Sequence, residues 1–221
     1  MSHALSDQEI IRREALQKLR ALGIEPFPAA EFPVTHTATT VKSGWQEPAG
    51  EDAPKQEVTL AGRLMSVRLM GKASFAVLRD HTGDQQIYIA RDGICPGEDK
   101  TLYDEVWKHL LHLGDFIGVK GHVFKTRTGE ITVHVEQLTV LSKALRPLPV
   151  VKTDEEGNVH DAFSDPELRY RMRYVDLVVN PHVKETFLKR ARVFDAMRGA
   201  FQDAGYIEVD TPVLQAIPGG A

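Results

Sequence analysis

A chain of 221 residues has room for one large domain or two small ones, and an apolar fraction of 42% suffices for a core. The formal net charge of -4 excludes a molecule-wide positive field, so any contact with nucleic acid has to be a local patch. The single cysteine, Cys95, excludes an internal disulfide, no apolar run is long enough for a bilayer and "MSHALSDQEI" has no signal pattern, so the expectation is a soluble cytoplasmic protein without a membrane partner.

The first predicted element is a helix. Ser6 followed by Glu9 forms a capping box, and Gly23 is a favoured stop just beyond about Leu22. Its exposed side is expected to carry Arg12, Arg13, Lys18 and Arg20. From "IEPFPAAEFP" to "QEPAGEDAPKQ" the chain is rich in Pro, Ala, Thr and Gly, which predicts an extended arm; helix and arm make up residues 1–57.

Residues 58–145 change character. "VTLAGRLMSVRLMG", "ASFAVLRDHTG", "QQIYIARDG", "GDFIGVKGHVFKTRTG" and "EITVHVEQLTVLSK" are β-branched or alternating runs separated by Gly and Asp turns. A helical piece, "KTLYDEVWKHLLHLGD", lies between the third and fourth. Five short strands with a helix after the third is the order of an OB-fold, with Gly62, Gly118 and Gly121 expected at its sharp bends. Residues 146–180 begin with a Pro-punctuated polar link. After it, Asn180-Pro181 opens a helix whose Val183, Phe187, Ala191, Phe194 and Phe201 keep helical spacing up to Gly205. Tyr206 to Val209 alternates like a half-buried strand, Pro212 ends it, and Gly219-Gly220 permits close backbone approach. The fold class is α+β.

Three stretches, "MGKASFAVLRD", "KALRPLP" and "RYRMRYVDL", resemble the bacterial lysyl-tRNA synthetases, a branch of the class II aminoacyl-tRNA synthetases, in order and spacing. The closing helix with "GYIEVDTPVLQAIPGGA" resembles the first class II motif. The resemblance implies an anticodon-binding barrel at 58–145, a linker at 146–180, and at 181–221 the helix-plus-strand start of a catalytic domain. It implies a homodimer interface including Phe194, Phe201 and Pro212, and a lysine-pocket wall at Gly219 and Gly220. It further implies a complete enzyme that activates lysine with ATP and Mg2+ and charges tRNA(Lys). The chain is then expected to be a truncated piece, with no catalytic residue, no metal or cofactor site and no lysine activation of its own. The alternatives are a free-standing OB-fold binder of single-stranded nucleic acid and the aspartate or asparagine branch of synthetases.

Reading an anticodon requires stacking on unpaired bases and hydrogen bonds to their edges. By the resemblance, Phe75 stacks on the central base and Gln86 reads a uracil edge, whereas residue pattern alone would make them a core Phe and a solvated strand Gln. The family's third reader is a Glu, and the matching position here holds Gln137 beside Glu136. Either Gln137 acts uncharged, or a bulge brings Glu136 round. Arg68 and Lys72 match positions approaching the anticodon loop; Arg63, Lys125 and Arg127 are weaker phosphate candidates, as are Arg12, Arg13 and Lys18 on the first helix. His109 and His112, without a third ligand nearby in sequence, read as ordinary helix residues, and Cys95 has no paired base. Arg169, Arg171 and Arg173 either tie the linker to its neighbours or pair with Asp165, Glu167 and Asp176.

Overall fold

The computed structural model describes residues 4–47, 54–149, 152–153, 159–160 and 163–212. The chain divides into two compact units, residues 1–148 and 149–221.

The first unit is built on a closed five-stranded barrel in the order β1-β2-β3-β5-β4, from β1 (Glu57–Met70), β2 (Ala73–Arg79), β3 (Asp84–Ala90), β4 (Phe116–Lys125) and β5 (Ile131–Ser142). Closure depends on the 14-residue length of β1: Glu57 to Arg63 pair with β4, and Arg63 to Met70 pair with β2. The β3–β5 pair is parallel and the others are antiparallel. Strict alternation sends Val58, Leu60, Ala76, Leu78, Ile87, Ile89, Val133 and Val135 into the core, and leaves the intervening residues on the outer face.

Two short helices, α1 (Asp7–Ala21) and α2 (Ala38–Ser43), precede the barrel, and α3 (Arg91–Ile94) follows β3. After it comes a π-helix, Leu102–Leu110. Tyr103 and Trp107 of that helix are buried, and their polar ends reach the β1–β2 hairpin. The Trp107 indole donates to Ser74 Oγ at 2.7 Å and the Tyr103 hydroxyl to the Gly71 carbonyl at 3.3 Å, while Gly71 has φ +66°. These bonds satisfy polar groups that burial would otherwise leave unpaired and fix the hairpin that carries Phe75.

The capping box of α1 forms as expected, with the Ser6 N–H donating to Glu9 Oε2 at 3.0 Å. One expectation for that helix fails: Arg12 is only 4% exposed. Its guanidinium donates to the carbonyls of Ala144 (3.0 Å) and Leu113 (2.9 Å), chain ends of the barrel that lack ladder partners. Arg13 bonds the Glu9 carbonyl at 3.1 Å, and Lys18 and Arg20 stay exposed. Beside Arg12 lies an ion pair with no solvent contact, Lys143 Nζ to Asp115 Oδ2 at 2.7 Å, both side chains 0% exposed. The same carboxylate accepts from the backbone of His112 and Ala144, each at 2.8 Å, so both oxygens are satisfied. This network locks α1 to the end of β5.

Gly118 and Gly121 serve close approach. A Cβ on Gly118 would lie 2.4 Å from the ring of Phe32, the arm residue that crosses β4. On Gly121 it would lie 1.9 Å from the His134 carbonyl. Gly121 faces a register shift: Lys120 pairs with Gln137 and Gly121 with Val135, which leaves Glu136 as the extra residue of a β-bulge.

The second unit holds a two-residue ribbon, β6 (Lys152–Thr153) with β7 (Val159–His160), within the stretch read as a polar link. It continues with α4 (Pro166–Arg171), α5 (Arg173–Val179) and α6 (Pro181–Asp203). Fully buried Asp176 gathers Arg169, Arg173 and Asn180, whereas Arg171 pairs with Glu167 at the surface. The strand expected at Tyr206 to Val209 is not formed. Tyr206 instead turns back on the end of α6, its N–H on the Phe201 carbonyl at 3.0 Å and its ring 5.7 Å from that of Phe201. Among the described residues nothing pairs with this stretch as a ladder, and alternation alone does not make a strand. No helix among the described residues is long and apolar enough to cross a membrane.

Candidate nucleic-acid interface

Two adjacent rungs of the barrel's outer face make the site. Cross-strand register aligns Arg68 with Phe75, Phe75 with Tyr88, Tyr88 with His134 and His134 with His122. The next rung runs Ser66, Val77, Gln86, Thr132 and Phe124. Directly opposed residues share a face, so five strands present one continuous row of rings ending in a guanidinium.

The rings touch. Phe75 and Tyr88 have centroids 5.1 Å apart, Tyr88 and His134 5.4 Å, and Phe124 meets Tyr88 edge-on at 6.1 Å. They line an open groove of about 710 Å³ that also takes in Arg68, Gln86 and Arg127. Phe75 and Tyr88 are half-buried, as side chains are that keep one face for packing and one for a ligand. The Gln86 amide donates to Thr132 Oγ1 at 2.9 Å, which orients its plane. Its neighbour Gln85 points inward instead, bridging β3 and β5 through bonds to the carbonyls of Gln86 and Ile131. Parity along the strand decides which glutamine faces outward.

At the far end of the first rung the bulged Glu136 turns to His122, with Oε1 2.8 Å from Nδ1. The rings of His122 and His134 stack at 4.9 Å and 21°. Desolvation, and to a lesser degree the adjacent His122, hold the His134 pKa below its ordinary value, so this ring is neutral in the groove wall near pH 7.

The expected residues therefore separate. Phe75, Gln86 and Arg68 come together in the groove. Lys72 is exposed in the β1–β2 turn, and its carbonyl accepts from the Arg91 N–H at 2.8 Å. Gln137 is exposed opposite Lys120, one residue past the bulge and outside the groove lining. Arg127 lines the groove, Lys125 pairs with Glu47 at 3.6 Å, and Arg63 lies over the Phe116 ring at 4.3 Å, away from it. His112 sits on Lys143, at 2.8 Å, and Cys95 is buried. Phe194 and Phe201 lie on α6, 43% and 57% exposed, and Pro212 is exposed as well. Gly219 and Gly220 lie outside the described residues. Sequence reasoning passed over Tyr88, Phe124 and His134, although Tyr88 is two residues from Gln86 and so on the same face of β3.

Comparison with known proteins agrees with this geometry. The tRNA anticodon family, described as an OB-fold nucleic acid binding domain, matches residues 58–141, which hold the whole groove. The family of tRNA synthetases class II (D, K and N) matches residues 165–221. The lysine–tRNA ligase of Porphyromonas gingivalis is 59% identical over 217 residues, 98% of this chain. Those of Christiangramia forsetii and Azobacteroides pseudotrichonymphae are 56% and 55% identical over the same length. This chain is a homologue of lysine–tRNA ligases. It spans 37% to 42% of the length of these relatives. The class II model covers the aspartate, lysine and asparagine branches alike, so it is the named relatives that favour the lysine branch over the other two. The class II match at 165–221 likewise does not favour a free-standing OB-fold binder.

Proposed function

We propose that the barrel of this lysine–tRNA ligase homologue reads the anticodon of tRNA(Lys). The row Arg68–Phe75–Tyr88–His134 beside Gln86 carries that reading. An unpaired base laid on Phe75 gains stacking worth roughly 1–3 kcal/mol, which is tolerant of sequence. Discrimination falls to the Gln86 amide: one N–H is taken by Thr132, which leaves a donor and a carbonyl for the complementary edge of a uracil. Arg68 at the end of the row, with Lys72 in the turn beside it, supplies charge for the flanking phosphates.

In the complete enzyme this recognition serves lysine activation by ATP with Mg2+, and lysyl transfer to tRNA(Lys), in the cytoplasm. The apolar face of α6, with Phe187, Phe194 and Phe201 exposed, together with Pro212, fits a homodimer contact.

The test is a titration of the chain with a tRNA(Lys) anticodon stem-loop at fixed salt, beside the same hairpin with its central U changed to C. Preference for U, abolished by Gln86→Ala, with Phe75→Ala weakening the binding of both hairpins, is the expected result. Equal binding of both hairpins at every salt concentration would refute base reading and leave only phosphate attraction.

A further inference from the structure

The bulge in β5 does more than shift register. His122 on β4 and His134 on β5 are directly opposed, and the extra residue Glu136 folds its carboxylate over the same pair. Each of the three offers a ligand atom, and these atoms all lie within 4.8 Å of one another. Two imidazoles and a carboxylate with room for water form the donor set of open tetrahedral zinc sites. Bonds of about 2.0–2.2 Å to a central ion would bring such atoms closer than they now stand, by roughly an ångström. The exposed Glu136 side chain can supply much of that by rotation, while the two strand histidines are already aligned by the ladder.

A second observation points the same way. His134 Nδ1 is buried and has no hydrogen-bond partner. A buried ring nitrogen left without a partner is uncommon and calls for an explanation. His122 Nδ1 lies on the Glu136 carboxylate, which thus already stands beside the ring pair. An ion between the rings and the carboxylate would replace that contact with three metal bonds.

We propose that His122, His134 and Glu136 bind one zinc ion at the end of the aromatic row, with two imidazole nitrogens, one carboxylate oxygen and a water completing four ligands. Donor softness favours zinc and other late divalent transition metals over Mg2+ or Ca2+, which take all-oxygen sets. The site borders the groove through His134, whose ring packs against Tyr88. It does not depend on the groove's reading RNA.

The experiment uses the full chain, stripped with chelator, and Co2+ as a spectroscopic stand-in for Zn2+. One equivalent of Co2+ should produce the intense visible bands of four-coordinate cobalt, and Zn2+ added afterwards should bleach them. Calorimetry with Zn2+ alone should give one site, weakened more than about tenfold by each of His122→Ala, His134→Ala and Glu136→Gln. Glu136→Gln is nearly isosteric and exposed, so it separates ligand loss from misfolding, and thermal melts check the other two. Absence of saturable 1:1 binding would overturn the proposal. So would binding that survives all three substitutions, because the ion would then sit elsewhere. Anticodon binding is not a readout here, so failure of that function leaves this result interpretable, and the converse holds.

Discussion

Asp115→Asn tests whether the buried network at the end of β5 holds α1 in place. The replacement keeps the side chain's shape and removes its charge. In the native protein one carboxylate oxygen accepts from Lys143 Nζ and the His112 N–H, and the other accepts from the Ala144 N–H. An amide has a single acceptor, so one of these donors must face an NH2 group. Neither Lys143 nor Asp115 touches solvent, and stranding one partner of such a pair costs about 3–5 kcal/mol. An independent bound agrees. Lys143 escapes by losing its proton, and moving an ordinary lysine from about pH 10.4 to pH 7 costs at most about 4.6 kcal/mol, at 1.36 kcal/mol per pH unit. The expected drop in melting temperature is about 6–20 °C, from roughly 2–4 °C per kcal/mol at this chain length. Urea unfolding at pH 7 measures it, and two further results are expected. The deficit should shrink as pH rises, because a lysine whose folded pKa is depressed stabilises the fold when neutral. Asp115→Asn combined with Lys143→Met should regain a large part of the loss. A cost below about 1 kcal/mol, with no pH dependence, would mean that water reaches the pair and that the network is not what anchors α1.

Three other outcomes follow from the same structure. Desolvation, then the charges of Lys143 and Arg12, hold the His112 pKa below its ordinary 6.5, while Asp115 opposes them more weakly. The native state therefore binds fewer protons than the unfolded one, and stability is lost as pH falls below about 6.5; melts of His112→Asn should decline less steeply from about pH 7 to about pH 5 than those of the native chain. Gly121→Ala should destabilise by on the order of 3 kcal/mol, since its Cβ would lie 1.9 Å from the His134 carbonyl, a backbone atom that cannot step aside; a change under about 0.5 kcal/mol in urea unfolding would show the bulge to be compliant. Arg68→Ala and Lys72→Ala should each reduce the salt slope of hairpin binding by roughly 0.7–1 while the preference for U persists, and an unchanged slope would remove them from the phosphate contacts.

Much of the barrel was legible because its signals are local. Alternation in "QQIYIA" sets Gln86 on the outer face, where the structure has it, whereas residue pattern alone makes Phe75 a core residue and only the resemblance put it beside Gln86. The order of runs and helix identified the fold before any pairing was visible. What escaped depends on residues far apart in the chain. Arg12 reads as solvated because it is charged, yet its partners are carbonyls more than 100 residues later. The row through Tyr88, His134 and His122 exists only once β3 lies beside β5, a parallel contact that no turn announces. Tyr206 to Val209 erred the other way, since alternation describes a preference and a strand needs a neighbour. The choice between Gln137 and Glu136 was open because "VEQL" puts two polar residues where strict alternation allows one, and the register shift places the irregularity at Glu136.

That irregularity works as a frame-shift in three dimensions. Before it, odd-numbered side chains of β5 (Val133, Val135) fill the core; after it, even-numbered ones (Leu138, Val140) do. Deleting the Glu136 codon would bring both halves back into phase, so that the interior sees the same sequence of valines and leucine in a ladder uninterrupted from Ile131 to Val140. Only the outside would change, by the loss of a single carboxylate next to the histidine pair. One triplet thus separates what the barrel needs in order to close from what its surface carries for ligands.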